Sequence, residues 1–122
     1  MNPAPFRNTQ FQFGAEHMRT DRDNEYMVFS RVIRLLQSAL ESGNVNDIIR
    51  ATHANTELWI ALASDLASQG NELPDQLKAN LISLAIFSIK HGHRVMSEDA
   101  PLQPLLDINL HIMKGLRGEV QR

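Results

Sequence analysis

The positions of apolar and polar residues along the chain predict four helices and no strands. From Thr20 the apolar residues recur at helical spacing: Val28, Phe29, Val32, Ile33, Leu35, Leu36, Ala39 and Leu40 fall on one face. Arg31, Arg34, Ser38 and Glu41 fall opposite, with Met27 pointing outward. Thr20-Asp21-Arg22-Asp23 has the form of a capping box, and Gly43-Asn44 reads as the stop. Asn46 can cap a second helix that runs to about Ser68. Its inner face is Ala51, Ala54, Leu58, Leu62 and Leu66, with Trp59 at the edge. Asn55 lies within that face, and Asp65 falls close to it.

Gly70-Asn71 closes the second helix, and Pro74 fits the first turn of a third. Between Leu77 and Ile89 this helix is apolar over more than half its circumference: Leu77, Leu81, Ile82, Leu84, Ala85, Ile86 and Ile89 fill one broad sector. Gln76, Asn80, Ser83 and Lys90 form the polar strip, with Phe87 on it, either covered by another segment or free for a partner. Such breadth predicts a central helix. The apolar run is far shorter than the ~20 residues that span a bilayer. Ala100-Pro101 reads as a turn into a fourth helix with Pro104 in or near its first turn. Leu102, Leu105, Leu106, Ile112, Met113 and Leu116 share its inner face, Asn109 sits at the centre of that face, and Gly115 and Gly118 mark its end.

Two helices thus each place an asparagine among core residues. A buried amide is costly unless its donors and acceptors are paired. The structural expectation is that Asn55 and Asn109 are buried or half-buried and hydrogen-bonded, to helix-end backbone for instance. The functional alternative is that they line a groove and hold a peptide backbone. The structural one ranks first, because buried polar groups are normally satisfied within the fold.

Residues 1–19 have no sustained period, and Pro3, Pro5 and Gly14 oppose a helix. Yet Phe6, Phe11 and Phe13 are three of the five phenylalanines, and disordered tails are poor in aromatics. The expected organisation is an irregular arm over residues 1–19, packed on the bundle or reserved for a partner, followed by one all-α domain over residues 20–118. A length of 122 residues suits one domain with a modest core, and 43% hydrophobic with 21% charged residues excludes general disorder.

Composition narrows the chemistry. With no cysteine, disulfides and thiolate metal sites are excluded. The net charge of −2 leaves no strong nucleic-acid footprint, and acids intersperse the partial stripe of Arg19, Arg22, Arg31 and Arg34. The N-terminus shows no apolar secretory core, so the expected location is cytoplasmic. His91-Gly92-His93 is the only close histidine pair; it reads as a helix terminus, where cations suit the macrodipole, before a metal site. His53 and His111 fall on outer faces, Asp107 points away from the apolar face, and no phosphate loop or HExxH is present. The expectation is a protein that is not an enzyme, with no cofactor and no metal.

Four blocks carry a family resemblance. Asn24-Glu25-Tyr26-Met27-Val28-Phe29-Ser30-Arg31-Val32 resembles the EYRLF-x-x-V segment of FlaF flagellar proteins. His53-Ala54-Asn55-Thr56-Glu57-Leu58-Trp59 is similar to their N-x-x-x-W helix, and Gly70-Asn71-Glu72-Leu73-Pro74 to their GN-x-LP junction. The stretch from Leu105 to Leu116 is similar to their LIDIN-x-x-IM-x-GL ending. The resemblance runs from about Thr20 to Leu116. It implies a small cytoplasmic helical protein of flagellum assembly, a secretion chaperone for flagellin that works against or beside the translational regulator FlbT. It also implies a role in flagellin production with no catalytic residues. Flagellin is the expected partner and FlbT a second one, with neither direct nucleic-acid binding nor a membrane. The alternative is a post-transcriptional regulator acting with FlbT without touching flagellin. For a helix-in-groove contact the candidate residues are Asn55, Trp59, Phe87, Met96, Asn109 and Met113. Core positions are the better reading for Trp59 and Met113. The oligomeric state is left open.

Overall fold

The computed structural model describes the backbone of residues 14–116 and the side chains of residues 26–115. Four helices follow one another: α1 (Gly14–Ser42), α2 (Val45–Ala67), α3 (Asp75–Glu98) and α4 (Gln103–Leu116). No strand occurs among the described residues, and the all-α bundle is the expected one.

The first boundary departs from the sequence reading. Helix α1 begins at Gly14, so residues 14–19, expected as part of an irregular arm, are helical, and Thr20–Asp23 lies inside the helix instead of capping it. Ala15, Glu16, Met18 and Arg19 are strong helix formers, and inside a running helix the amide protons that a capping box would satisfy already have carbonyl partners. Residues 1–13, with Phe6, Phe11 and Phe13, lie outside the described residues, as does Gly118.

The other junctions show how the chain turns. Gly43 takes φ +64° after α1 and its N–H donates to the Ala39 carbonyl (2.9 Å), a left-handed conformation that glycine adopts at little cost. The cap of α2 is Asn44, two residues earlier than expected: its Oδ1 accepts from the N–H groups of Asn46 (2.8 Å) and Asp47 (3.2 Å). Replacing Asn44 by alanine is expected to cost about 1 kcal/mol, read from denaturant unfolding with an unchanged m-value. Pro74 stands at the N-cap of α3, one place before the first turn. Asp99 ends that helix in the left-handed conformation (φ 63°), and the Ala100 N–H donates back to the Arg94 carbonyl (3.2 Å).

Packing follows chain order. α2 packs on both α1 and α3, and α4 packs on α1 and more lightly on α3. The core holds Phe29, Val32, Ile33, Leu36 and Ala39 of α1, Ala51, Leu58 and Trp59 of α2, and Leu102, Leu105 and Leu106 of α4. On α1 this is the expected face, except that Leu40 is exposed at its margin; Met27 points outward as expected.

Helix α3 is the main departure. Its buried strip is Ala85, Ser88, His91, Gly92 and Val95, small or polar residues over the second half, while Leu77, Ile86, Phe87 and Met96 are 42–50% exposed. Expected as the central helix, it is an edge helix. When more than half of a helix is apolar, hydrophobicity does not choose the inward direction; close fit does. An ideal Cβ on Gly92 would stand 3.1 Å from Thr56 Oγ1 and 3.4 Å from Thr52 Cγ2, so this glycine lets α3 press against α2.

Candidate functional site

Three helices meet around a chain of buried polar side chains. Trp59 Nε1 donates to Asn109 Oδ1 (2.9 Å), Asn109 Nδ2 donates to Asn55 Oδ1 (2.7 Å), and Asn55 Nδ2 faces Ser88 Oγ at 3.5 Å. All four side chains are fully buried. The order of donors is forced from one end. An indole nitrogen only donates, so Asn109 must present its oxygen to Trp59 and its amide nitrogen to Asn55, which in turn presents its oxygen. Phe29 closes the apolar side of Trp59, edge to face, with ring centroids 6.0 Å apart.

The expectation of buried, hydrogen-bonded asparagines therefore matches the structure, with a change of partner: they bond to side chains across the bundle and not to helix-end backbone. As contact residues for a partner, Asn55, Trp59 and Asn109 have no surface to offer in this arrangement. They tie α2, α4 and α3 together. Met113 is half-buried against the core. Phe87 and Met96 are the two candidates at the surface, on different sides of α3.

His91 and His93 sit within α3, more than a turn before its end, so the helix-terminus reading of this pair is corrected: the helix continues through Gly92 because α2 supplies its neighbours there. His91 is buried and its Nε2 donates to the Pro101 carbonyl (2.7 Å), tying the α3–α4 turn to the helix; its Nδ1 has no partner among the described residues. Phe87 stacks on the His91 ring at 5.5 Å with planes 18° apart, leaving its outer face to solvent. Among the described residues, no three His, Cys, Asp or Glu side chains gather as a metal site requires.

On the other side of α3 lies an open groove against α2, lined by Ile49, Thr52, His53, Thr56, Gly92, His93, Met96 and Ser97, with a volume of about 520 Å³. Thr52 did not stand out in the sequence and Gly92 read only as part of a helix end, because a small residue is meaningful only once its neighbour is known. Ser88 was hidden in the same way.

The comparisons bear on this architecture. The family model described as flagellar protein FlaF matches residues 8–116. The chain belongs to the FlaF family. The match takes in all four helices of the bundle, together with the blocks that carry Asn55, Trp59 and Asn109. The polar chain is thus part of the FlaF-matched domain. Comparison with curated proteins and with solved structures gave no match. For this FlaF chain, a flagellar protein, no described helix is long and apolar enough to cross a membrane.

Proposed function

We propose that this FlaF-family protein is a cytoplasmic, non-catalytic export chaperone that binds flagellin. The observation that carries the reading is the outward turn of α3. A helix apolar enough to be central shows Met96 to solvent beside the exposed Ile49 of α2, in the open groove between the two helices, and an exposed apolar patch on a small folded domain marks a surface that a partner covers. Flagellin's terminal segments are amphipathic helices that stay unpaired until polymerisation, which is the ligand class for a helix-in-groove contact. Methionine suits such a surface because its unbranched chain adapts to the incoming shape.

The test is calorimetry with monomeric flagellin, full-length and truncated at either terminus, at low and high salt. Binding that is lost with one truncation and largely survives the rise in salt is the expected result. An absence of binding to any form would overturn the chaperone reading in favour of a regulator acting through FlbT.

A further inference from the structure

We infer that residues 1–13 fold back over the first half of α3 and seat their phenylalanines, Phe6, Phe11 and Phe13, on Leu77, Leu81 and Leu84. This goes beyond the chaperone reading and stands or falls without flagellin.

The buried strip of α3 is Ala85, Ser88, His91, Gly92 and Val95. Continued toward the N-terminus at helical spacing, the same face carries Leu84, Leu81 and Leu77. There the strip changes from small and polar residues to leucine, yet burial stops. Leu81 and Leu84 are half-buried, Leu77 is 42% exposed, and no residue from 75 to 84 is buried. The cause is the length of α4. Helix α3 packs on α2 and only lightly on α4. The α3–α4 turn is tied to His91 through Pro101, and Asn109 reaches Asn55 near the level of Ser88, so α4 runs antiparallel to α3. It ends at Leu116, about 10 Å past Asn109 at 1.5 Å per residue and roughly level with Leu81. The leucine face of α3 thus outruns the helix that covers the rest of its strip.

Two chain ends emerge beside this face, and composition chooses between them. Helix α1 runs antiparallel to α2, with Phe29 against Trp59. Gly14 lies about 22 Å up the helix from that contact and the end of α2 about 12 Å along, so the chain enters α1 some 10 Å past the end of α2, where α3 begins. Residues 1–13 extend to at most about 43 Å, several times the ~10 Å between Leu77 and Leu84. Residues 117–122 hold one large apolar residue, Val120, and residues 14–25 also hold one, Met18; residues 1–13 hold three of the five phenylalanines. Each ring has a large apolar area to bury. Pro3 and Pro5 favour extended backbone, and in an extended segment residues two apart share a side, which suits Phe11 and Phe13. The FlaF match begins at residue 8, ahead of α1, so these two phenylalanines belong to the matched domain.

The chain has no cysteine, so Asn8→Cys in the full-length protein carries a single nitroxide label, read by paramagnetic broadening of amide signals. With label and nitrogen-15 on the same chain, the amides of residues 76–84 are expected to broaden, and those of Arg50 and His53 at the far end of α2 to stay sharp. With label and isotope on different chains, mixed, no broadening is expected. Phe11→Ser/Phe13→Ser should remove the broadening, lower the melting temperature by about 5 °C and speed hydrogen exchange of the amides of residues 77–84. Leu77→Ser, at a half-exposed site, should also weaken the broadening. Broadening only between chains would overturn the strap and make a second copy the cover of this face. Absence of broadening, or broadening that survives loss of both phenylalanines, would overturn it as well.

Discussion

Asn109→Ala is expected to lower stability by about 3–5 kcal/mol, because one truncation strands two buried groups, the Trp59 N–H and the Asn55 carbonyl oxygen, at roughly 1–3 kcal/mol each. A small domain has only about 5–15 kcal/mol in total, so thermal unfolding should shift down by roughly 10–20 °C. The partner substitutions separate this mechanism from simple loss of packing. Trp59→Phe removes the N–H and leaves only the Asn109 oxygen unpaired, so it should cost less than Asn109→Ala. The double variant Asn55→Leu/Asn109→Leu should cost less than the sum of its two single variants, since it orphans only the Trp59 N–H and the Ser88 hydroxyl, whereas the two single variants together orphan four groups. Additive losses in that cycle would show that the three side chains do not act as a unit.

This network also shows how far the chain could be read before its structure was known. Helix number, the inward face of α1 and the burial of Asn55 and Asn109 followed from periodicity and from the cost of an unpaired amide. Who bonds to whom did not, because the pairing joins residues about fifty positions apart in sequence. The start of α1 was misplaced because Thr20–Asp23 has the residues of a cap, and only the preceding turn decides whether it acts as one. The orientation of α3 was misread for a deeper reason. Broad apolarity signals burial on average, but the packed side was selected by Ala85, Ser88 and Gly92, residues whose value is their small size. The same misreading hid the groove: Phe87 and Met96 stand among the six contact candidates, yet Ile49, Thr52 and Gly92 acquire meaning only when α2 lies alongside.

Gly92→Leu is expected to destabilise the protein by about 2–4 kcal/mol. The first atom of any side chain there meets Thr56 Oγ1 at 3.1 Å and Thr52 Cγ2 at 3.4 Å, and the rest of a leucine has to force α2 and α3 apart. Overpacking of this kind typically costs about 1–3 kcal/mol and occasionally more; the better helix propensity of leucine returns under 1 kcal/mol of it. Gly92→Ala sets the two terms nearly equal, because the Thr56 side chain can give by the few tenths of an ångström required while alanine gains about 1 kcal/mol of helix propensity. Its measured stability should therefore lie close to that of the parent. Thr56→Ala should relieve part of the leucine penalty, since it removes the closest atom. The Asn55–Ser88 contact lies one turn from Gly92 on α3 and between Thr52 and Thr56 on α2, so separation at Gly92 should also loosen the polar chain, and hydrogen exchange of the α2 and α3 amides should rise together. If Gly92→Leu is tolerated and Thr56→Ala has no effect upon it, the close approach of these helices is not what turns the apolar side of α3 to the solvent.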